Sequence, residues 1–460
     1  MIREIRLMKR PIAPPPLEKL LERHKQRLPD VLGLGRQLTV DGHYIHWDEL
    51  RRKTPRPADL SAGEWWTGIR LARFSQSRPL PLEDTRGRPF LYMLPDRVLE
   101  ALHRIDSGAS GRIGVAEAVT NPATRDQFIV SSLIREAITS SQLEGASTTR
   151  AVAAKMIRAG RRPRNRSERM ILNNYRAMRE VREMKAQPLT VAAVLTLHRA
   201  VTGGTLDDPA AAGRLQLPGE DRVEVCDAQG QVLHRPPPAD QLPERLRAMV
   251  RFANAENGTE TPQGNRFLHP VIRAIMLHFW LAYDHPFADG NGRTARALFY
   301  WAMLRRGYWM FEFLSISRFL KAAPVQYARA FLHTETDGSD ATYFIVHQVD
   351  VILRALDTLD RYLQSKAAQA SRIDGLLRSR TDLNHRQLAL LAHAVRHPDW
   401  EYTTRSHMTS HDVVYATARA DLFRLADLSL LERQKRGRKL NVFRVPPDLE
   451  ARIRGLRSGL

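Results

Sequence analysis

The chain has 460 residues, 43% hydrophobic and 26% charged, an ordinary balance for a folded protein and enough length for two or three domains. Its formal net charge is +21, and its one cysteine, Cys226, excludes an internal disulfide or a thiolate metal cluster and suits a reducing cytoplasm. The start, Met1 to Pro11, lacks the apolar core of a signal peptide, and the densest apolar run, Ala274 to Tyr283, is too short to span a bilayer, so a cytoplasmic location without membrane insertion is expected.

Residues 1–95 are rich in proline and tryptophan, with Pro14-Pro15-Pro16 and a hairpin signal around Gln37 to Trp47, and read as an extension packed on the rest of the chain. From 96 to 340 the pattern is mostly helical. Arg125 to Thr139 carries Phe128, Ile129, Leu133, Ile134, Ala137 and Ile138 at helical spacing, which puts Glu144 at a helix end beside Gly145. A basic run extends from Arg158 to Arg169, either a solvated loop or a phosphate-seeking patch. Asp221 to Cys226 and Gln231 to His234 alternate in polarity around the turn residues Asp227 to Gly230, a hairpin signal bearing Val223, Val225 and Val232. Arg235-Pro-Pro-Pro238 closes the hairpin and leads into a helix from Leu242 to Asn254.

Val271 to Tyr283 is apolar at nearly every position except Arg273 and His278, as expected of a buried helix. Pro286 stops that helix at His285, because the residue before proline is pushed out of the right-handed helical region. Gly290 and Gly292 permit tight turns that aim backbone N–H groups at the start of a second helix, where free donors and the helix dipole favour an anion. Arg293 and Arg296, three apart, share one face of that helix. These residues make a phosphate cradle with a carboxylate, Asp289, suited to a hard metal ion and a histidine at its lip. Thr342 to Arg378 reads as one or two connecting helices over 341–380, a connector or a homodimer surface, and 381–447 as a separate module whose first helix starts at Asn384.

The string His285-Pro-Phe-Ala-Asp289-Gly290-Asn291-Gly292-Arg293-Thr-Ala-Arg296 resembles the Fic family signature, His-x-Phe-x-(Asp/Glu)-Gly-Asn-Gly-(Arg/Lys)-x-x-Arg, at every defined position. The resemblance covers nearly all of 96–340 and implies a mainly α fold, a helical bundle with a small β-hairpin flap. It also implies transfer of AMP from ATP to a Ser, Thr or Tyr hydroxyl of a protein target, or of the chain itself. His285 would be the general base, Asp289 would hold Mg²⁺, and Asn291 with the Gly292 N–H would stabilise charge on the α-phosphate. Arg293 would neutralise the leaving pyrophosphate, Arg296 would grip the γ-phosphate, and Gly290 belongs to the cradle. The related Doc-type kinases carry Lys where Gly292 stands, so glycine favours AMP transfer over phosphorylation.

Ser140-Ser-Gln-Leu-Glu144-Gly145 is similar to the inhibitory helix of Fic proteins, (Ser/Thr)-x-x-x-Glu-(Gly/Asn). It implies inhibition within one chain, over a helix at about 125–145, with Glu144 competing against the γ-phosphate for Arg296. The hairpin at about 221–234 looks like the family's flap, which aligns a target segment by strand addition. Tyr327 resembles a tyrosine that flanks the adenine, although Ala322-Ala323-Pro324 stand where many relatives carry an Asn. Val413 to Leu425 resembles the reading helix of a winged helix-turn-helix domain, with wing strands at Leu430 to Arg433 and Leu440 to Val445. Lys435, Arg436, Arg438 and Lys439 at the wing tip are then candidate DNA contacts, and a protein-contact role is the alternative. Other functional readings are a DNA-binding transcriptional regulator whose Fic domain senses nucleotide, a deAMPylase, or another nucleotidyl transferase. An intact His285, Asp289 and arginine pair favours the adenylyltransferase, because a sensor has no need of the base.

Overall fold

The structure is a computed structural model that describes residues 9–34, 37–57, 60–109, 122–226, 229–255, 259–261, 264–378, 380–411, 413–436 and 440–455. Its described residues divide into two units, the first ending at Asp360 and the second running from Arg361. The first unit begins with α1 (Leu17–His24), α2 (Leu28–Leu34), α3 (Ala62–Gln76), the strands β1 (Arg78–Glu83) and β2 (Pro89–Tyr92), and α4 (Asp96–Ala109). Next come α5 (Pro122–Leu143), α6 (Arg150–Arg158), α7 (Arg166–Glu183), α8 (Val191–Thr202), β3 (Val225–Cys226), β4 (Val232–His234) and α9 (Leu242–Asn254). It closes with β5 (Thr259–Thr261), β6 (Gly264–Arg266), α10 (Pro270–Asp284), α11 (Asn291–Arg305), α12 (Ser317–Ala322), α13 (Pro324–Thr336) and the first half of α14 (Thr342–Arg378). No described helix is long and apolar enough to cross a membrane.

Two helices buried on nearly every face form the centre. In α10, Val271, Ile272, Ile275, Leu277 and Phe279 are fully buried, as the continuous apolar run requires, and so are Leu298, Phe299 and Trp301 in α11. The two pack against each other, and α7 packs on both α5 and α11. Burying one such side chain contributes roughly 1.5–3 kcal/mol. The loop between α10 and α11 is therefore clamped at both ends by helices that cannot shift without opening the core.

The hairpin expected around Gln37 to Trp47 is present in minimal form: Val40 and His43 exchange both backbone hydrogen bonds at 2.9 Å around Asp41 and Gly42, both at positive φ. The chain then enters a helical turn at Trp47–Leu50, where Asp48 donates its N–H to His46 Nδ1 at 3.1 Å. A second, longer hairpin of this region is β1–β2, hidden in the sequence by Pro79, Pro81 and Pro89. Buried Arg73 of α3 ties these segments to the start of α14. It donates to the carbonyls of Leu38 (3.1 Å) and Ile45 (3.0 Å) and to the Tyr343 hydroxyl (2.9 Å), and stacks over Tyr44. Tyr44 and Tyr343 donate in turn to Asp340 and Asp337 at 2.5 and 2.7 Å.

In the second unit, α15 (His385–Arg396), β7 (Glu401–Tyr402), α16 (Thr404–His411), α17 (Tyr415–Asp427), β8 (Glu432–Arg436) and β9 (Leu440–Arg444) come after the end of α14, with α18 (Leu449–Ile453) last. The strands pair antiparallel in the order β7-β9-β8. Leu391, Leu422, Leu425, Leu430 and Phe443 form the core. Leu430 and Leu431 are thus core residues ahead of a strand that begins at Glu432, two positions later than the alternation suggests. Buried Asp421 accepts from Asn384 Nδ2 (2.7 Å) and Arg386 Nε (2.8 Å), fixing the start of α15. Lys435 and Arg436 are exposed, with Arg436 paired to Glu401 at 3.2 Å, whereas Arg438 and Lys439 lie outside the described residues.

Replacing Arg73 by Met would leave the Leu38 and Ile45 carbonyls and the Tyr343 hydroxyl without its donors and remove the buried positive charge beside Asp337 and Asp340. Urea unfolding followed by tryptophan fluorescence should show a loss of about 3–5 kcal/mol. A loss below about 1 kcal/mol would mean that the network does not hold the N-terminal segments.

Candidate functional site

The loop from His285 to Gly290 leaves a core helix and enters another. His285 caps α10 with its N–H on the Leu281 carbonyl at 3.0 Å, and its backbone adopts φ 44°, ψ 54°. Proline at 286 alone favours an extended residue before it, so this left-handed conformation is imposed from outside, at a cost of about 1–2 kcal/mol. Arg222 supplies the constraint by donating to the carbonyls of Asp284 (2.7 Å) and His285 (3.1 Å), while Gln216 donates its N–H to the Pro286 carbonyl at 2.9 Å. The imidazole of His285 lines a cavity of about 210 Å³. Its Nδ1 has no hydrogen-bond partner among the described residues. Burial, helped by the nearby charges of His234 and Arg222, lowers its pKa to about 3, so the ring is neutral at any physiological pH rather than partly protonated.

Phe287 is fully buried and stacks on His198 of α8, with ring centroids 3.8 Å apart and planes 7° from parallel. His198 Nδ1 accepts the Gly213 N–H at 3.0 Å, so its proton sits on Nε2, which donates to the Asp289 carbonyl at 2.8 Å. Burial keeps this ring neutral by lowering its pKa to about 4. Neither His198 nor Arg222 was legible as a site residue: His198 reaches the loop from a helix that carries no motif, and the flap signal around Arg222 marked its valines, not an anchor for His285.

Asp289 Oδ1 accepts the Gly290 N–H at 2.6 Å, and Oδ2 lies 3.3 Å from Arg293 and 3.9 Å from Arg166. The carboxylate is partly exposed, and no group of three metal-binding side chains occurs among the described residues. A single hard oxygen donor fits Mg²⁺ held chiefly by phosphate oxygens and water, not a closed protein cage. Arg293 is fully buried and donates to the Val201 carbonyl at 3.1 Å. Asn291 departs from its expected role. Its side chain donates to the Phe287 carbonyl (2.7 Å) and accepts the Phe287 N–H (2.9 Å), so it staples the loop and leaves only backbone N–H to offer a phosphate. Gly290, at φ +83°, sets the turn into α11, whose first N–H groups lack intrahelical acceptors.

Arg296 is 2% exposed and makes three bonds to the end of α5: Nε to Ser140 Oγ (2.9 Å), Nη2 to the Ser140 carbonyl (3.0 Å), and Nη2 to Glu144 Oε1 (2.8 Å). Gly145 at φ +94° ends the helix and turns Glu144 inward. A Cβ on Gly292 would collide with the Glu144 carboxylate and crowd the Arg296 guanidinium. The glycine therefore leaves the space that the carboxylate occupies in this pair, and a side chain there would have to displace it.

The cavity brings together His285, Asn291, Gly292, Arg296, Glu144, Val225 and Tyr327. Tyr327 packs edge-on against Phe331, and its hydroxyl is hydrogen-bonded to His278 Nε2 at 2.8 Å, a buried setting that raises its pKa to about 12. The flap is shorter than the alternation implies. Val225 and Val232 stand in β3 and β4, but Val223 precedes the strand and is exposed, and residues 227–228 of the turn lie outside the described residues. Val232 lines a neighbouring cavity instead.

Residues 188–303 match the family model described as Fic/DOC family. Over 124 residues the chain is 33% identical to a protein of Nematostella vectensis named protein adenylyltransferase Fic, covering 27% of this chain and 25% of that protein. A Drosophila melanogaster protein of the same name is 33% identical over 120 residues, 26% of this chain and 21% of its own length. The match thus spans a quarter or less of these relatives. The fold is similar to that of a Fic family protein from Desulfovibrio desulfuricans G20, with a TM-score of 0.50 and 19% identity, covering 77% of this chain and 98% of that one.

A His198→Phe variant would keep the stack on Phe287 and lose both hydrogen bonds. Stability should fall by about 1–3 kcal/mol, and the Gly290 amide should exchange faster with deuterium. Unchanged exchange at Gly290 would show that the loop is held without His198.

Proposed function

Starting from a chain that is a Fic family protein, we propose a protein adenylyltransferase that moves AMP from ATP to a Ser, Thr or Tyr hydroxyl and restrains itself through Glu144. The observation that carries this reading is the Arg296–Glu144 pair at the mouth of the cavity that His285 also lines. A buried guanidinium needs an anion, and a triphosphate is the alternative to Glu144.

In the productive complex, the target hydroxyl attacks the α-phosphorus, its proton passes to His285, and the bond to the β-phosphate oxygen breaks to release pyrophosphate. The desolvated ring is a poor base on its own. Triphosphate charge beside it opposes the effect of the neighbouring cations and raises its basicity. The free N–H groups at the start of α11 face charge developing on the α-phosphate. Arg293 steadies the departing phosphates, and Arg296, once free of Glu144, fixes the γ-phosphate. Asp289 would hold Mg²⁺, which would neutralise phosphate charge when bound. The apolar wall of Tyr327, Ala328 and Phe331 suits a base or a target side chain. For the second unit we infer a winged helix-turn-helix from the order of α15 to β9, with exposed Lys435 and Arg436 as candidate phosphate contacts.

Glu144→Gly should increase self-labelling from α-phosphate-labelled ATP by about tenfold or more, a change of ~1.4 kcal/mol or greater. It should also lower the melting temperature, since Arg296 loses its carboxylate. Adding Arg296→Ala should cancel the gain, and adding His285→Ala should reduce it by about 10²–10⁴-fold. Label entering from the γ-phosphate instead would make the protein a kinase and overturn the proposal.

A further inference from the structure

His234, the last residue of β4, lines the same cavity as His285 and is buried. Each of its ring nitrogens meets an acceptor: Nδ1 the Glu335 carboxylate at 2.9 Å and Nε2 the Tyr283 carbonyl at 2.8 Å. Neither acceptor can donate, so satisfying both contacts requires a proton on each nitrogen, and the ring is then an imidazolium. The Tyr283 carbonyl belongs to the last turn of α10, where carbonyls lack helical partners and the dipole favours a cation. Glu335 stands near the end of α13. One side chain thus joins the flap to α10, which His285 caps, and to α13, which lines the same cavity.

We propose that His234 is a positioning residue: doubly protonated, it latches the flap to Glu335 and to the end of α10, and so holds the target-aligning strand against the base. The proposal rests on the adenylyltransferase reading for what the flap does, but the latch itself is a property of the free protein. The titratable and charged groups near the ring are Glu335 from α13, Asp284 from α10, neutral His285 from the loop, and Arg222 from the segment before β3. Burial alone would lower the His234 pKa, but Glu335, the Tyr283 carbonyl and Asp284 outweigh it and raise the pKa above the ordinary value. The stabilisation is therefore fully present below the unfolded pKa of about 6.5, and is lost as pH rises through the raised folded value. The same cation helps to keep His285 unprotonated, so latch and base occupy opposite protonation states side by side.

The test uses the full chain labelled with ¹⁵N-histidine, in the Glu144→Gly background, with and without Glu335→Gln. His234 should show both nitrogens protonated at neutral pH and a pKa above that of a free imidazole. Glu335→Gln should lower that pKa by about one unit or more. It should also move the alkaline fall of AMP transfer to lower pH by a similar amount, and exchange at the Val232 to His234 amides should rise through the same pH range. A neutral His234 at pH 7, or superimposable pH profiles with and without Glu335→Gln, would overturn the latch. If no variant transfers AMP, the functional reading fails instead, and the titration and amide exchange still decide whether His234 holds the flap.

Discussion

The first unit depends on a cation placed where water cannot reach it. Arg296 is carried by a core helix, and its guanidinium would be strongly destabilising without acceptors. The end of α5 provides them from 156 positions away, with Ser140 contributing two and Glu144 the third. Several local choices serve this meeting. Ile134 and Ile138 of α5 pack against Ile171 of α7, which fixes the height of the helix end. Gly145 turns the chain, and Gly292 leaves room for the carboxylate. Two of the three contacts of Arg296 come from Ser140, so an exchange of Glu144 for another anion would involve only the third.

Three histidines near the loop show how burial and hydrogen bonding assign protonation. His198 is neutral because one nitrogen accepts and the other donates within a desolvated site. His234 has two acceptors and a carboxylate beside it, and its pKa is raised. His285 lacks a partner at Nδ1, sits among positive neighbours, and is neutral. The first positions the loop backbone, the second joins the flap to its flanking helices, and the third remains available for a proton. Residue identity alone does not separate these roles; the second contact of each ring does.

What could be read from the chain was chemistry concentrated in short strings. The buried helix before His285, the turn at Gly290, the arginines of α11 and the pairing of Glu144 with Arg296 all came from local pattern and a resemblance. What could not be read was the support brought from a distance. His198 reaches Asp289 across 91 positions from a helix with no distinguishing composition, and Arg222 reaches Asp284 across 62 from a hairpin signal that marked only its valines. The Asn291 amide looked free for a phosphate, yet it is consumed by the backbone of Phe287 four residues away. Prolines concealed the β1–β2 hairpin, while the one expected around Gln37 to Trp47 is reduced to the Val40–His43 pair before the helical turn at Trp47.

If Glu144 and the outermost phosphate compete for one buried cation, removing the charge of Glu144 favours the nucleotide that carries that phosphate. Calorimetric titration of ATP and of AMP into the wild-type chain and into Glu144→Gln tests this most directly, since glutamine keeps the shape and removes the charge. Only ATP carries the phosphate that would meet Arg296. Glu144→Gln should tighten ATP and leave AMP affinity unchanged. Equal tightening of both nucleotides, or none for ATP, would contradict it.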